Sequence, residues 1–204
     1  MKVLIIGAHP DDIDIGVGGT AAKYIKHGHE VLGVVVTVPN NNDRRKKEAE
    51  QAAKILGIEL RNLDIDPNEL SYSRRLVLEF DNIISSYNPD IVFTHWHHDS
   101  HQDHVAISKA TVGSTRKNKC SVYMYEQTIP GGIVPHGFRP QMYVDISSEI
   151  DLKIESTLAH SSQVKDDKKS WVGGIKGRAG YRGFQMGVDY AEAFEVIKTI
   201  MIIE

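Results

Sequence analysis

The chain has a single cysteine, Cys120, in 204 residues. An internal disulfide is therefore excluded, as is a Cys-x-x-Cys redox pair, and a lone thiol fits a reducing compartment. No apolar run approaches the roughly 20 residues that a membrane-spanning helix needs. Neither sign of charge dominates: 24 Lys and Arg stand against 27 Asp and Glu, a net charge of −3. That balance gives no electrostatic footprint for nucleic acid. The opening "MKVLIIGAHPDD" holds one lysine and a short apolar run that ends in acid, unlike a signal peptide. The expectation is a cytoplasmic protein without a membrane or nucleic-acid partner. Repeats and low-complexity segments are also absent. What remains is ordinary for a globular chain, 41% hydrophobic and 25% charged, of a length that suits one domain, 1–204.

Apolar runs alternate with helix-period stretches. Residues 2–7 read as a buried strand and Gly19–His27 as a helix ended by Gly28. "EVLGVVVTV" is apolar on both faces, as a strand covered on both sides should be. "DRRKKEAEQAAKILG" is rich in helix formers and closes on Gly57. "ELRNLDI" is a shorter strand. In "SRRLVLEFDNIISSYNPD", Leu76, Phe80, Ile83 and Tyr87 share one helical face and Pro89 ends the run. "IVFT" is a strand, 103–113 a helix, and "SVYMYE" a strand. This β-α alternation with right-handed crossovers predicts an α/β, Rossmann-like fold: a doubly wound, mostly parallel sheet flanked by helices in three layers. The last third is less regular. "TIPGGIVPHGFRP" reads as loop, "QMYVDI" as strand, and "SEIDLKIESTLAHSSQ" as helix. The glycine-rich "WVGGIKGRAGYRGFQMG" reads as loop with a short helix, and "YAEAFEVIKTIMII" as a closing strand.

Five of the ten histidines lie within ten residues, "HWHHDSHQDH". A strand precedes them and a helix follows, so the cluster is a strand-to-helix loop. "GAHPDD", after the first strand, is another. In an open parallel sheet both loops lie outside the carboxyl ends of the strands, where ligands bind. Imidazole and carboxylate are the ligands of a catalytic zinc, three from protein with water in the fourth position. His9, one of Asp11 or Asp12, and one histidine of the cluster would supply that set. The other aspartate would remain as a base beside the metal.

Two other readings compete. Gly16-Val17-Gly18-Gly19-Thr20-Ala21 matches G-x-G-x-x-A of dinucleotide sites. Eight residues separate these glycines from the strand, three of them aspartates, and the second strand ends without an acid for a ribose. Close packing of helix on sheet is the better account of Gly18 and Gly19. Two histidines and a carboxylate also describe a non-haem iron centre. Ligand counting leaves Fe2+ possible at the same set.

"AHPDDIDIGVGGT" resembles the first signature of the LmbE/PIG-L-type deacetylases, which hydrolyse N-acetyl groups of glucosamine-containing compounds. "THWHHDSHQDH" is similar to their second, with its His-x-Asp-His core. "RKKEAEQAAKILG", "HSSQ" and "YAEAF" are similar to further landmarks, in the right order from residue 1 to about 198. The resemblance implies a Zn2+-dependent hydrolase that removes the N-acetyl group of an N-acetylglucosaminyl compound. It implies His9, Asp12 and His104 as metal ligands and Asp11 as general base. It implies His101, as a cation, steadying the oxyanion, with Asp103 orienting its ring. Arg45 matches an arginine that reaches substrate in relatives, although the loop before it, "PNNNDR", is shorter than theirs. The implied partner is a small amino sugar, and the implied assembly a homo-oligomer such as a hexamer. The alternatives are an amidase for a larger glucosaminyl conjugate and a metal-binding protein without turnover. Trp96 is a candidate for stacking on a sugar or for supporting its loop. His136, Arg139, Arg178 and Arg182 fall in two loops, 128–140 and 165–187, either of which is placed to cover the site. His97 and His98 have no assigned role.

Overall fold

A computed structural model describes residues 1–40, 42–134, 136–164 and 167–200. In chain order the elements are β1 (Lys2–Gly7), α1 (Asp12–Lys26), β2 (Glu30–Val35), α2 (Asn42–Leu56), β3 (Glu59–Asn62), α3 (Arg74–Tyr87), β4 (Ile91–His95) and α4 (Gln102–Ser114). After a short 3-10 turn come β5 (Ser121–Tyr125), β6 (Met142–Asp145), α5 (Ile150–Ala159), α6 (Lys168–Met186) and β7 (Ala191–Lys198). One sheet runs β3-β2-β1-β4-β5-β7-β6. β7 alone is antiparallel to its neighbours β5 and β6. The expected three-layer α/β architecture is the observed one.

Alternate residues of the central strands enter opposite cores, which explains their unbroken apolar composition. Val3 and Ile5 meet Ile13, Val17 and Ala21 of α1 and Leu56 of α2. Leu4 and Ile6 meet Leu76, Phe80 and Ile84 of α3 and Ile107 of α4. Each fully buried side chain of this kind contributes about 1.5–3 kcal/mol. α5 packs outside the sheet against α1 and α2.

Two expectations fail. α1 begins at Asp12, not Gly19. Its apolar residues at 13, 17 and 21 form a helical stripe against β1 and β2, so the glycines fall mid-helix. There they serve close approach. A Cβ on Gly16 would overlap the Tyr125 ring, and one on Gly19 would overlap Ile146. The second failure is Lys168–Met186, a helix of 19 residues where loop with a short helix was expected. Ile175, Ala179, Arg182 and Gly183 are its buried residues and pack it on β7, and this burial overrides the weak helix propensity of glycine. The expected closing strand is observed over Ala191–Lys198; residues 201–203 lie outside the described residues.

Candidate active site

β1, β4 and β5 are parallel, so the loops after them leave the same sheet edge. The first loop turns through Pro10, and Asp12 Oδ2 accepts the His9 N–H at 2.7 Å. This turn carries His9 and Asp12 inward, where both are buried. His104, in the first turn of α4, enters from the second loop and is buried as well.

Donor atoms of His9, Asp12 and His104 lie within 4.8 Å of one another. His9 Nδ1 and His104 Nε2 are 3.4 Å apart. His9 Nδ1 is 3.4 Å from Asp12 Oδ2, and His104 Nε2 is 3.4 Å from Asp12 Oδ1. Tetrahedral donors around zinc, each about 2.0–2.1 Å from the ion, stand about 3.3–3.4 Å from one another. The outer nitrogens fit the same role. His104 Nδ1 lies 3.0 Å from Asp99 Oδ2, and His9 Nε2 lies 3.1 Å from Asp103 Oδ2. Each imidazole can thus donate its N–H outward to a carboxylate and turn a lone pair inward, as metal-binding histidines do. Two further His/carboxylate triples, His9–His101–Asp103 and His95–Asp99–His104, each join one of these histidines to its outer carboxylate and to one more histidine.

Without a metal, protons hold the cluster together. Burial opposes charge on His104, but Asp12 at Nε2 and Asp99 at Nδ1 outweigh it and push the pKa up to about 10. His9 is raised in the same way, burial being outweighed by Asp12. Burial also opposes charge on Asp12, yet His104 and His95 hold its carboxyl well below the usual range. His95 lies under His104, ring centroids 3.9 Å apart. Burial, then the cation above it, pushes His95 down to about 4. It is therefore neutral and accepts the Ala8 N–H at Nε2, 2.9 Å away.

Asp11 occupies the N-cap position of α1, but its side chain makes no cap bond. Instead Oδ1 accepts from Arg45 Nη2 at 3.1 Å. Arg45 is itself buried, and its Nη1 donates to Pro39 O at 3.1 Å. Its guanidinium is thus directed at Asp11, beside the first loop. His101 is the N-cap of α4, and its Nδ1 accepts the Asp103 N–H at 3.2 Å. That bond leaves the ring proton on Nε2. Burial, with His104 and His9 nearby, lowers the His101 pKa, which opposes the cationic form expected of it and favours the neutral ring with its N–H at Nε2. Asp103 Oδ2 lies 3.9 Å from His101 Nδ1, farther than from His9, and it is the His9 ring that Asp103 orients.

A cavity of about 120 Å³ opens beside these groups, with Asp99, His101 and His104 on one side and Thr128, Ile129 and Val134 on the other. Sequence reasoning passed over two residues at its edge. One is Asp99, five residues before His104. The other is Gln127, whose Nε2 donates to Asp12 Oδ1 at 2.6 Å. Trp96 is buried and packs edge-on against Phe138, so it supports the loop and offers no face to a sugar. His97 Nδ1 lies against Met124 Sδ, and His98 against His136. Arg178 and Arg182 lie on α6. Arg178 holds Thr128 of the cavity wall, and Arg182 pairs with Glu126.

Residues 4–114, 111 of the 204, match the model of a family described as PIG-L: GlcNAc-PI de-N-acetylase. The chain belongs to the PIG-L family. It is 27% identical over 226 residues to a diacetylchitobiose deacetylase of Thermococcus kodakarensis, covering 98% of this chain and 85% of that protein. Among solved structures, a conserved protein of Thermus thermophilus superposes with a TM-score of 0.84 at 27% identity, covering 98% of this chain and 96% of the other. The N,N'-diacetylchitobiose deacetylase of Pyrococcus horikoshii, solved with an inhibitor, superposes with a TM-score of 0.82 at 27% identity, covering 96% and 83%. Its family and its deacetylase relatives make the chain a hydrolytic N-deacetylase. No helix among the described residues is long and apolar enough to cross a membrane.

Proposed function

We propose that this PIG-L family member is a zinc-dependent N-deacetylase that hydrolyses the acetamide of an N-acetylglucosaminyl compound to acetate and free amine. The observation that carries the reading is the pair of buried histidines, His9 and His104, each with one nitrogen on an outer carboxylate and the other facing Asp12. A zinc ion held by His9, Asp12 and His104 would supply Lewis acidity to the acetyl carbonyl and acidify the attacking water. Asp11, fixed by Arg45, takes the proton from that water and delivers it to the departing amine. His101 donates from Nε2 to the oxygen of the tetrahedral carbon, a contact worth roughly 3–4 kcal/mol. Ile129 and Val134 give the acetyl methyl an apolar wall.

The test is amine release from a panel of N-acetylglucosamine conjugates by zinc-loaded protein. Wild type should release amine. Asp11→Ala should keep stoichiometric zinc and lose about 100-fold or more in kcat, whereas His104→Ala should lose the zinc itself. A wild type inactive across a broad panel, or a fully active Asp11→Ala, overturns the reading.

A further inference from the structure

The last third of the chain lies beyond the residues that match the family, yet four of its side chains converge on residues 14–20 of α1. Lys153 of α5 is buried. Its Nζ donates to the Asp14 carbonyl at 3.0 Å and the Ile15 carbonyl at 2.8 Å, and pairs with Glu192 Oε1 at 2.5 Å. All three ammonium donors are thus used. Glu192 of β7 accepts the N–H of Gly19 at 3.0 Å and of Thr20 at 2.7 Å. Arg178 of α6 adds Nη2 to the Ile15 carbonyl at 3.0 Å. His160, after α5, holds the Asp14 side chain at 2.8 Å.

These contacts reach the middle of a helix, whose backbone groups ordinarily bond only to one another. In a regular α-helix the Ile15 carbonyl and the Gly19 N–H are partners. Here a buried cation takes hold of one and its counter-ion takes hold of the other. The Lys153 stem packs along Gly18, where a Cβ would stand in ordinary contact, 3.5 Å from Lys153 Cγ. Burial of an ion pair is a poor source of stability, and apolar residues of like volume often serve as well or better. What the pair supplies is placement. The Ile15 N–H donates to the Asp11 carbonyl at 3.1 Å, and Asp12 opens the same turn. Holding Ile15 therefore holds the two aspartates.

We propose that Lys153 and Glu192 are positioning residues, which fix the first turn of α1 and so set Asp12 toward the metal and Asp11 toward the water. This rests on the roles given to those aspartates above. The test is zinc affinity by chelator competition, with the absorption spectrum of the Co2+ form as a report of ligand geometry. In Lys153→Met/Glu192→Met the pair is replaced by aliphatic volume. Zinc should bind about 10–100-fold more weakly, the loss typical when support of a ligand is removed, with a changed Co2+ spectrum and a lower kcat at little-changed KM. Arg178→Met removes one donor from the Ile15 carbonyl and leaves the ion pair in place. It should show a smaller loss of zinc affinity in the same direction, and it carries the test should the double variant not fold. Unchanged zinc affinity and Co2+ spectrum in the folded variants overturn the proposal alone. A wild type that binds no zinc overturns the site reading and this proposal with it, and is seen before any variant is made.

Discussion

Metal and proton compete for the same nitrogen of His104, so raising the pH should destabilise the metal-free protein and leave the zinc form nearly level. In the metal-free protein His104 has its pKa raised from 6.5 to about 10. Its contribution to stability is fully present below the unfolded pKa of 6.5 and is lost as pH rises through about 10, because the folded state binds the extra proton over that range. One proton is worth about 1.4 kcal/mol per pH unit. Raising pH from 7 to 8.5 should therefore remove about 2 kcal/mol, or about 4–8 °C of Tm for a chain of this size. His9 is raised as well and acts in the same direction. His95, lowered to about 4, and Asp12, lowered well below its usual range, change only at lower pH. Zinc must displace the His104 proton to bind, so over the same interval its affinity should rise about 30-fold. Thermal unfolding with chelator and with zinc, at half-unit pH steps, measures both slopes. His104→Gln should flatten the metal-free one. A metal-free Tm that is level or rising from pH 7 to 8.5 would refute the reasoning.

Two further outcomes follow from the contacts. Asp99→Asn and Asp103→Asn, each of which removes a carboxylate from the outer nitrogen of a ligand, should weaken zinc binding by about 10–100-fold while leaving far-UV circular dichroism unchanged; wild-type affinity in both would show that the outer carboxylates are idle. Gly16→Ala should cost about 1–3 kcal/mol in urea unfolding, because its methyl meets the Tyr125 ring across a packed helix–sheet contact; an unchanged midpoint would mean that α1 can shift.

The parts of this molecule that were legible in its sequence are those set by local pattern. β1, β2 and β4 are continuous apolar runs because both faces are covered, and α3 follows from its one apolar face and from Pro89 just after it. The two loops bearing His9, Asp12 and His104 could be placed at one sheet edge because strand order alone determines which ends converge. The rest depends on partners far along the chain. Gln127 meets Asp12 across 115 positions, and no short motif announces that contact. Arg45 was read for a substrate from its match to an arginine of relatives, and its contact with Asp11, 34 positions away, is likewise announced by no short motif. The glycines misled twice for one reason. Glycine marks loops by its backbone freedom, yet in α1 and α6 it stands inside helices, and in α1 its lack of a side chain lets Tyr125 and Ile146 come close.

The strand order also limits what can be complete at each stage of synthesis. β6 is an edge strand whose neighbour in the sheet is β7, and β7 is inserted between it and β5. A ribosome that has delivered everything up to α6 has therefore delivered β6 without a place to dock. The nascent protein can assemble β3-β2-β1-β4-β5 and bring His9 to His104, but Glu192 arrives only with β7. Completion of the sheet and the contacts of Glu192 with α1 both wait on β7, and a chain interrupted before residue 191 would carry His9, Asp12 and His104 without either.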